Sequence, residues 1–443
     1  MARAFVAFRL PGRLFRLVWR VPPVKDSRAS GLGAYVAVTA AYWAFMLTDG
    51  ALRMLVLLHF HTLGFSPIQL AYLFLLYEFM GVVTNLSAGW VAKRFGLTGT
   101  LYAGLGLQVG ALAALTQLDI GWGLAASVIF VMAVQGVSGV AKDLAKMSSK
   151  SAVKLLAPEE GGALFRWVAL LTGSKNAVKG AGYLLGAAGL ALIGFEAAIW
   201  AMATALAAIL ISVALFMPPG LPKGAKGAKF REVFSIDANV NRLSAARLFL
   251  FGARDAWFVV GVPIYFYAVL SDGSEAGNRA AFFQIGVFMA VWIILYGAIQ
   301  AAAPRLFAAH DKSLAETVRL ARLWVGLLTL IVAGLAGASL AADGPADWLT
   351  GTLVVGLLAF GGVFAINSSL HSYLLLAFTS AERVTLDVGF YYMSNAAGRL
   401  AGTLLSGLGY QMAGLPGCLS AAAAMASLSL FCAGRLVAGR RLA

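Results

Sequence analysis

The chain has 443 residues, of which 60% are hydrophobic and only 12% charged, with a mean hydropathy of +0.83. That composition excludes a soluble globular enzyme and describes an integral membrane protein. The formal charge of +15 would point to nucleic acid in a soluble chain, but here no nucleic-acid partner is expected, because cytoplasmic loops take up the excess.

Residues 1–31 carry Arg3, Arg9, Arg13, Arg16, Arg20, Lys25 and Arg28, interrupted by Pro11, Pro22 and Pro23. A basic amphipathic helix on the inner membrane surface and an unstructured cationic tail both fit this extension. No cleavable signal is expected, since arginines break up any apolar signal core.

Twelve apolar segments follow, at 34–58, 67–92, 98–118, 122–145, 165–193, 196–217, 243–270, 280–304, 322–342, 348–378, 386–412 and 416–438. Each is long enough to span a bilayer as a helix. The expected fold is an all-α integral membrane protein with twelve transmembrane helices in two pseudo-symmetric six-helix halves, 32–217 and 243–443. Between them lies a linker, 218–242, with Lys223, Lys226, Lys229 and Arg231 among Gly and Pro.

Charge sets the expected orientation. With both termini in the cytoplasm, nearly all Lys and Arg fall in cytoplasmic segments, and only Arg279 falls in an outer loop. The outer loops hold Asp119, Glu196, Asp272, Glu275, Asp343 and Asp347 instead. Lys and Arg resist translocation, so this bias predicts a multi-pass protein of a bacterial inner membrane with both ends inside. The cations left over lie inside membrane segments: Arg53, Lys175, Lys179, Arg247, Arg254 and Arg399.

The two halves resemble each other. Ser174-Lys-Asn-Ala-Val-Lys179-Gly-Ala-Gly-Tyr-Leu-Leu-Gly in segment 5 sets against Ser394-Asn-Ala-Ala-Gly-Arg399-Leu-Ala-Gly-Thr-Leu-Leu-Ser in segment 11. Lys179 then matches Arg399, and Gly182 matches Gly402. Segments 1 and 7 each carry an acid and an arginine, Asp49 with Arg53 and Arg254 with Asp255. Parallel repeats of this kind describe the two halves of a major facilitator transporter.

The intramembrane cations are the strongest chemical signal. Lys175 and Lys179 are four apart and share a helix face. A cation near the bilayer centre costs about 2.5–3.5 kcal/mol on insertion scales, so such groups face water, a ligand or a partner. Lys175, Lys179, Arg254, Arg399 and Arg53 are therefore candidate substrate contacts around a central cavity, with a multivalent anion offsetting their repulsion. Arg supplies bidentate recognition of phosphate-like oxygens, and Lys a movable point charge. The competing reading is structural pairing, such as Arg53 with Asp49, or Arg254 with Asp255 or Glu78. Segment 11 adds Asp387, Tyr391 and Asn395 ahead of Arg399 at four-residue spacing, suited to an oxygen-rich ligand or to interhelical hydrogen bonds. Asn367 and His371 share a face of segment 10 and are further candidate contacts. Asp49, Glu78, Asp255 and Asp387 are candidates for coupling or charge pairing.

Other features read as structural. Gly182-x-x-x-Gly186 and Gly398-x-x-x-Gly402 are close-packing motifs. The run 142–154, with lysines at spacing four, reads as an amphipathic helix at the inner surface, or less favourably as an entry funnel for anions. Ser369 and His371 lack the acid and oxyanion arrangement of a protease, so no enzyme is expected. Cys418 and Cys432 share the last segment and imply neither a disulfide framework nor a metal site. No cofactor is expected, and the chain is expected to be a monomer surrounded by membrane lipid.

Gly89-Trp-Val-Ala-Lys93-Arg-Phe-Gly96 resembles the loop signature between helices 2 and 3 of facilitators, with Lys93 where that pattern has an acid. A more specific resemblance covers about residues 32–438. Thr48-Asp-Gly-Ala-Leu-Arg53, His59-Phe-His61, Gly139-Val-Ala-Lys-Asp-Leu144, Thr172-Gly-Ser-Lys-Asn-Ala-Val-Lys-Gly180, Phe249-Leu-Phe-Gly-Ala-Arg-Asp255, Asn367-Ser-Ser-Leu-His-Ser-Tyr373 and Leu386-Asp-Val-Gly-Phe-Tyr-Tyr-Met393 resemble the organoarsenical efflux permeases of the major facilitator superfamily. The resemblance implies export of 1-arseno-3-phosphoglycerate, with glyceraldehyde-3-phosphate dehydrogenase as the pathway partner that makes this ester from arsenate. A facilitator for other phosphorylated metabolites, or for inorganic phosphate exchange, is the alternative.

Overall fold

The computed structural model describes residues 29–119, 121–156, 163–217, 235–307, 312–342, 344–379 and 384–437. The expectations for the basic extension up to residue 28, and for the greater part of the linker, lie outside these residues. So do those for the side chains of Lys93, Lys150 and Lys154.

Every described regular element is helical. Lipid leaves a backbone no partner but itself, so an apolar run of this length closes its hydrogen bonds within one helix. The first six helices are α1 (Ala29–Thr62), α2 (Pro67–Phe95), α3 (Leu97–Leu115), α4 (Leu124–Leu156), α5 (Ala163–Ile193) and α6 (Phe195–Phe216). The next four are α7 (Ala238–Leu270), α8 (Glu275–Phe307), α9 (Leu314–Ala341) and α10 (Asp347–Phe378). The final stretch, Val384–Gly434, is broken by Ala413 (φ −146°) and Gly414 (φ +62°). Residues eight apart on a straight helix lie about 12 Å apart, yet a Cβ on Gly409 would sit 3.0 Å from the Gly417 carbonyl carbon. The chain therefore folds back, giving α11 (384–412) and α12 (415–434). Eleven helical stretches are long and apolar enough to cross a membrane among the described residues, and the fold-back makes the last of them two spans.

Local signals place several ends. Asp237 caps α7, its carboxylate accepting from the Asn239 and Val240 amides at 2.8 Å each. Ser313 and Glu316 form a capping box at the start of α9. The helix α7 breaks at Val260 (φ −121°, ψ −46°). Its freed Val260 and Gly261 amides both donate to Ser406 Oγ on α11 at 3.1 Å, which satisfies them inside the bundle.

The repeat visible in the sequence is a packing repeat. The helices α1 and α5 pack together, as do α7 and α11. Gly182 faces Gly50 and Gly402 faces Gly252, with a Cβ on either outer glycine lying 3.2 and 3.1 Å from the opposing Cα. The first six helices meet the last six along α2 against α11 and α5 against α8. These seams bound the central cavity.

A side chain at Gly402 would meet the Gly252 carbonyl oxygen at 2.6 Å, a backbone atom that cannot rotate away. Gly402→Ala is expected to lower stability by about 1–3 kcal/mol, read as a fall in thermal unfolding temperature of the detergent-purified protein. Gly334→Ala, where nothing lies within 4 Å, should leave that temperature unchanged or raised.

Candidate functional site

A cavity of about 530 Å³ lies between the two sets of helices. Its walls come from α1, α2, α4, α5, α7, α8, α10 and α11. The lining residues all lie toward the end of the bundle where α4 ends and α7 begins. Past Arg53, Phe258 and Arg399 the helices close on one another. Gly407 of α11 packs on Pro67, Ile68 and Ala71 of α2, and His61 of α1 meets the Tyr267 ring edge-on at 4.8 Å.

The deep end is a chain of alternating charges. Glu78 of α2 accepts from Arg53 Nη2 of α1 at 2.6 Å and from Arg399 Nη2 of α11 at 2.5 Å, both on Oε1. Arg399 Nε also reaches Asp255 at 3.3 Å, and Asp255 takes Arg254 Nε at 2.5 Å. Beside this chain, Lys179 Nζ of α5 lies 2.6 Å from Asp49 of α1, which also accepts the Tyr77 hydroxyl. Aromatic faces contribute as well. The Arg53 guanidinium lies 4.9 Å from the Tyr77 ring centre and that of Arg254 4.9 Å from Phe251. A desolvated cation gains about 2 kcal/mol from such a contact.

Arg53, Lys175, Lys179, Arg254, Asp255, Tyr391, Asn395 and Arg399 all line the cavity. The central cations outnumber the nearby acids, yet four of them are ion-paired. Arg53, Lys179, Arg254 and Arg399 share the carboxylates of Asp49, Glu78 and Asp255, a formal excess of one positive charge. Arg53 takes Glu78 rather than Asp49, because Asp49 is held by Lys179 and Tyr77. Asp49 and Glu78 stand behind the cations rather than in the lining.

Three further candidates fall outside the cavity lining. Asn367 turns to α9, its amide donating to the Ala321 carbonyl at 2.9 Å. His371, one turn on, is fully buried with it. Asp387 is buried and accepts the Thr379 hydroxyl. The face of α10 that carries Asn367 and His371 packs inward, while Ser369, Ser372 and Tyr373 of the same segment line the cavity. The Asp387–Arg399 stripe thus contributes only its later members, since a four-residue step drifts around the helix.

Several lining residues are not among the substrate contacts expected from the sequence. Lys142, Asp143 and Lys146 belong to α4, which runs unbroken to Leu156, so they face the cavity instead of lying on a surface helix. Lys142 Nζ lies 4.1 Å from the Tyr77 ring centre, and Lys146 Nζ lies 2.8 Å from both Asp143 and Asn85 Oδ1. Arg247 donates to the Ser368 hydroxyl at 2.9 Å and its carbonyl at 3.1 Å. Gln300 of α8 joins Ser368 to Asn176 of α5 at 3.1 and 3.2 Å, a second polar link between the two helix sets. Two signals were available. Arg247 and Arg254 are seven apart on α7 and share a face, and Lys142 directly continues an apolar run. Neither signal says which face looks inward.

The cavity therefore has two cationic tiers. Lys175 lies one turn, about 6 Å, along α5 from Lys179, and Arg247 about 10 Å along α7 from Arg254. Tyr42, Phe251, Phe258, Trp292 and Tyr296 add aromatic wall to the same cavity. Chemically, the cavity combines cationic and aromatic walls and is open toward one end of the bundle.

The chain shares its fold with membrane transporters. It resembles a structure from the proton-dependent oligopeptide transporters at 14% identity and TM-score 0.64, covering 90% of this chain and 96% of that one. It also resembles a mutant form of the nucleoside transporter NupG at 15% identity and TM-score 0.63, covering 92% and 98%. A third is a POT family transporter in complex with a thioalcohol-conjugated peptide, at 15% identity, TM-score 0.63, and coverage of 90% and 95%. No family model and no curated protein matches the chain. At these identities the likeness establishes the fold alone: an all-helical, multi-pass bundle with the major facilitator fold.

Glu78 is fully buried beneath two arginines. Removing one member of a buried ion pair costs about 3–5 kcal/mol, because it strands the partner charge. Glu78→Ala is expected to lose that much, read by thermal unfolding of purified protein. Glu78→Gln, which keeps an acceptor oxygen, should lose less.

Proposed function

We propose that the protein is a transporter that exports a multivalent organic oxyanion by alternating access, and that this anion is 1-arseno-3-phosphoglycerate. Export would confer resistance to arsenate. The observation that carries the reading is the cavity between the two helix sets, in which Lys175, Lys179, Arg254 and Arg399 converge from both sets. The choice of anion rests on the resemblance of residues 32–438 to organoarsenical efflux permeases.

The site chemistry supports a phosphate-like, pentavalent substrate. Reduced arsenic seeks soft sulfur ligands, whereas both cysteines sit on α12 outside the cavity lining, with Cys418 turned to the Ser406 carbonyl. The aromatic wall favours an ester with a carbon body over inorganic phosphate, which needs no apolar surface. In the proposed cycle the cavity faces the cytoplasm. The anion enters past Lys142, Lys146 and Lys175 and reaches Lys179, Arg254 and Arg399. There it competes with Glu78 and Asp255 for the arginines. Loosening the Arg399–Glu78 link frees α11 from α2, and the two sets then rock about the site.

Voltage is sufficient to drive the step. One charge crossing 100 mV is worth about 2.3 kcal/mol. An anion carrying roughly three charges gains about 7 kcal/mol on leaving a cell whose interior is negative. Proton coupling is then unnecessary.

Arsenate-resistance complementation tests the substrate. Resistance is expected when this chain and a glyceraldehyde-3-phosphate dehydrogenase are expressed together in a sensitive host, and neither should confer it alone. Resistance from this protein alone would sink the proposed ester. Uptake of inorganic phosphate or another phosphorylated metabolite would support the broader facilitator reading. Lys179→Ala and Arg399→Ala are each expected to abolish export while membrane insertion, checked by membrane fractionation, stays normal. In vesicles, export should follow the clamped voltage and survive collapse of the pH gradient.

A further inference from the structure

A second site lies away from the central cavity. At the end of the bundle where α7 begins and α12 ends, a groove of about 770 Å³ is lined by Arg242, Arg322 and Arg435 over a floor that includes Ala315, Val318 and Leu436. Among the described residues, no carboxylate lines it. The nearest acid in sequence, Glu316, is turned into the capping box with Ser313.

The groove is built rather than incidental. Arg322 of α9 donates through Nε to the Ala433 carbonyl at 3.1 Å and through Nη2 to the Leu436 carbonyl at 2.5 Å. Asn239 of α7 pairs with Val437 in both directions, at 2.9 and 3.1 Å. The C-terminal end of α12 is thereby tied to α7 and α9, which holds the arginines in one wall. Arg435 is exposed and lies 4.2 Å over the Phe431 ring, and Arg242 is half-buried. On α9 and α12, away from the end, Leu323, Leu327, Leu428 and Phe431 are exposed. These apolar residues face the hydrocarbon of a bilayer, so the groove sits where acyl chains end and headgroups begin.

We infer that this groove binds the phosphate of an anionic phospholipid headgroup, with Arg242 and Arg435 as the phosphate contacts and Arg322 as the clamp that shapes the groove. Arginine forks match phosphate oxygens. The apolar floor and the adjoining exposed leucines accept the glycerol and upper acyl chains. The site joins α7, α9 and α12 and is independent of what the central cavity carries.

Native mass spectrometry of the full-length protein, released from detergent with added phosphatidylglycerol or phosphatidylcholine, tests the inference. The unmodified protein is expected to retain phosphatidylglycerol in preference, and phosphatidylglycerol should raise its unfolding temperature. The double variant Arg242→Gln/Arg435→Gln keeps the Arg322 clamp and should retain phosphatidylglycerol about 10- to 30-fold less well. It should also lose the thermal shift while binding phosphatidylcholine as before. Arg279→Gln, at an exposed residue paired with Glu275, should change nothing. Equal retention by the double variant, or an equal fall with Arg279→Gln, would overturn the site. Protection by millimolar glycerol 3-phosphate that equals the lipid's and is lost in the double variant would assign the groove to free phosphate and overturn the lipid assignment.

Discussion

One carboxylate oxygen ties the centre of the molecule together. Glu78 Oε1 receives an arginine from α1 and another from α11, one from each set of six helices. In a medium of low dielectric a lone cation there would be costly, and so would a lone carboxylate. Each of the three groups is tolerable only in the presence of the others. The arrangement closes the α2–α11 seam without closing the cavity, because the arginines still line it. A bond of this kind stands firm against water but yields to a competing anion that brings its own oxygens. That is the property the proposed alternating-access cycle requires.

The same constraint explains where the repeat holds and where it breaks. Close packing repeats faithfully: Gly50 against Gly182 and Gly252 against Gly402 bring α1 to α5 and α7 to α11 at matching separations. Charge does not repeat. Lys179 is held by Asp49 within the first set, whereas its counterpart Arg399 reaches both Asp255 in its own set and Glu78 in the other. The lysine has one compact ammonium, while the arginine fork can serve two carboxylates at once. The asymmetry of the site thus arises where equivalent positions differ in charge or shape, Lys179 against Arg399 and Lys175 against Asn395, on a symmetric frame.

The cations are also held by ring faces. Phe251 lies beneath both Arg247 and Arg254, at 4.1 and 4.9 Å, and Tyr77 serves both Arg53 and Lys142, at 4.9 and 4.1 Å. These rings partly replace the hydration that the bilayer removes, and they leave the charges available to a ligand instead of neutralising them. The cavity is consequently both apolar and cationic.

The sequence by itself determined the class of fold. Runs of about twenty apolar residues leave the backbone no option but helices, and the number of spans, the internal repeat and the glycine contacts were legible in that pattern. It also marked Lys175, Lys179, Arg254 and Arg399, because a cation in an apolar run stands out wherever it lies. Tertiary structure alone decided the partners. Glu78 lies over three hundred residues from Arg399, and no local spacing connects them. It also decided which face of each helix looks inward. Asn367 and His371 were lost to the packed side of α10, and Lys142, Asp143 and Lys146 were gained because packing turns that face of α4 to the cavity. Helical periodicity fixes which residues share a face, but only the packing of neighbouring helices fixes where that face points.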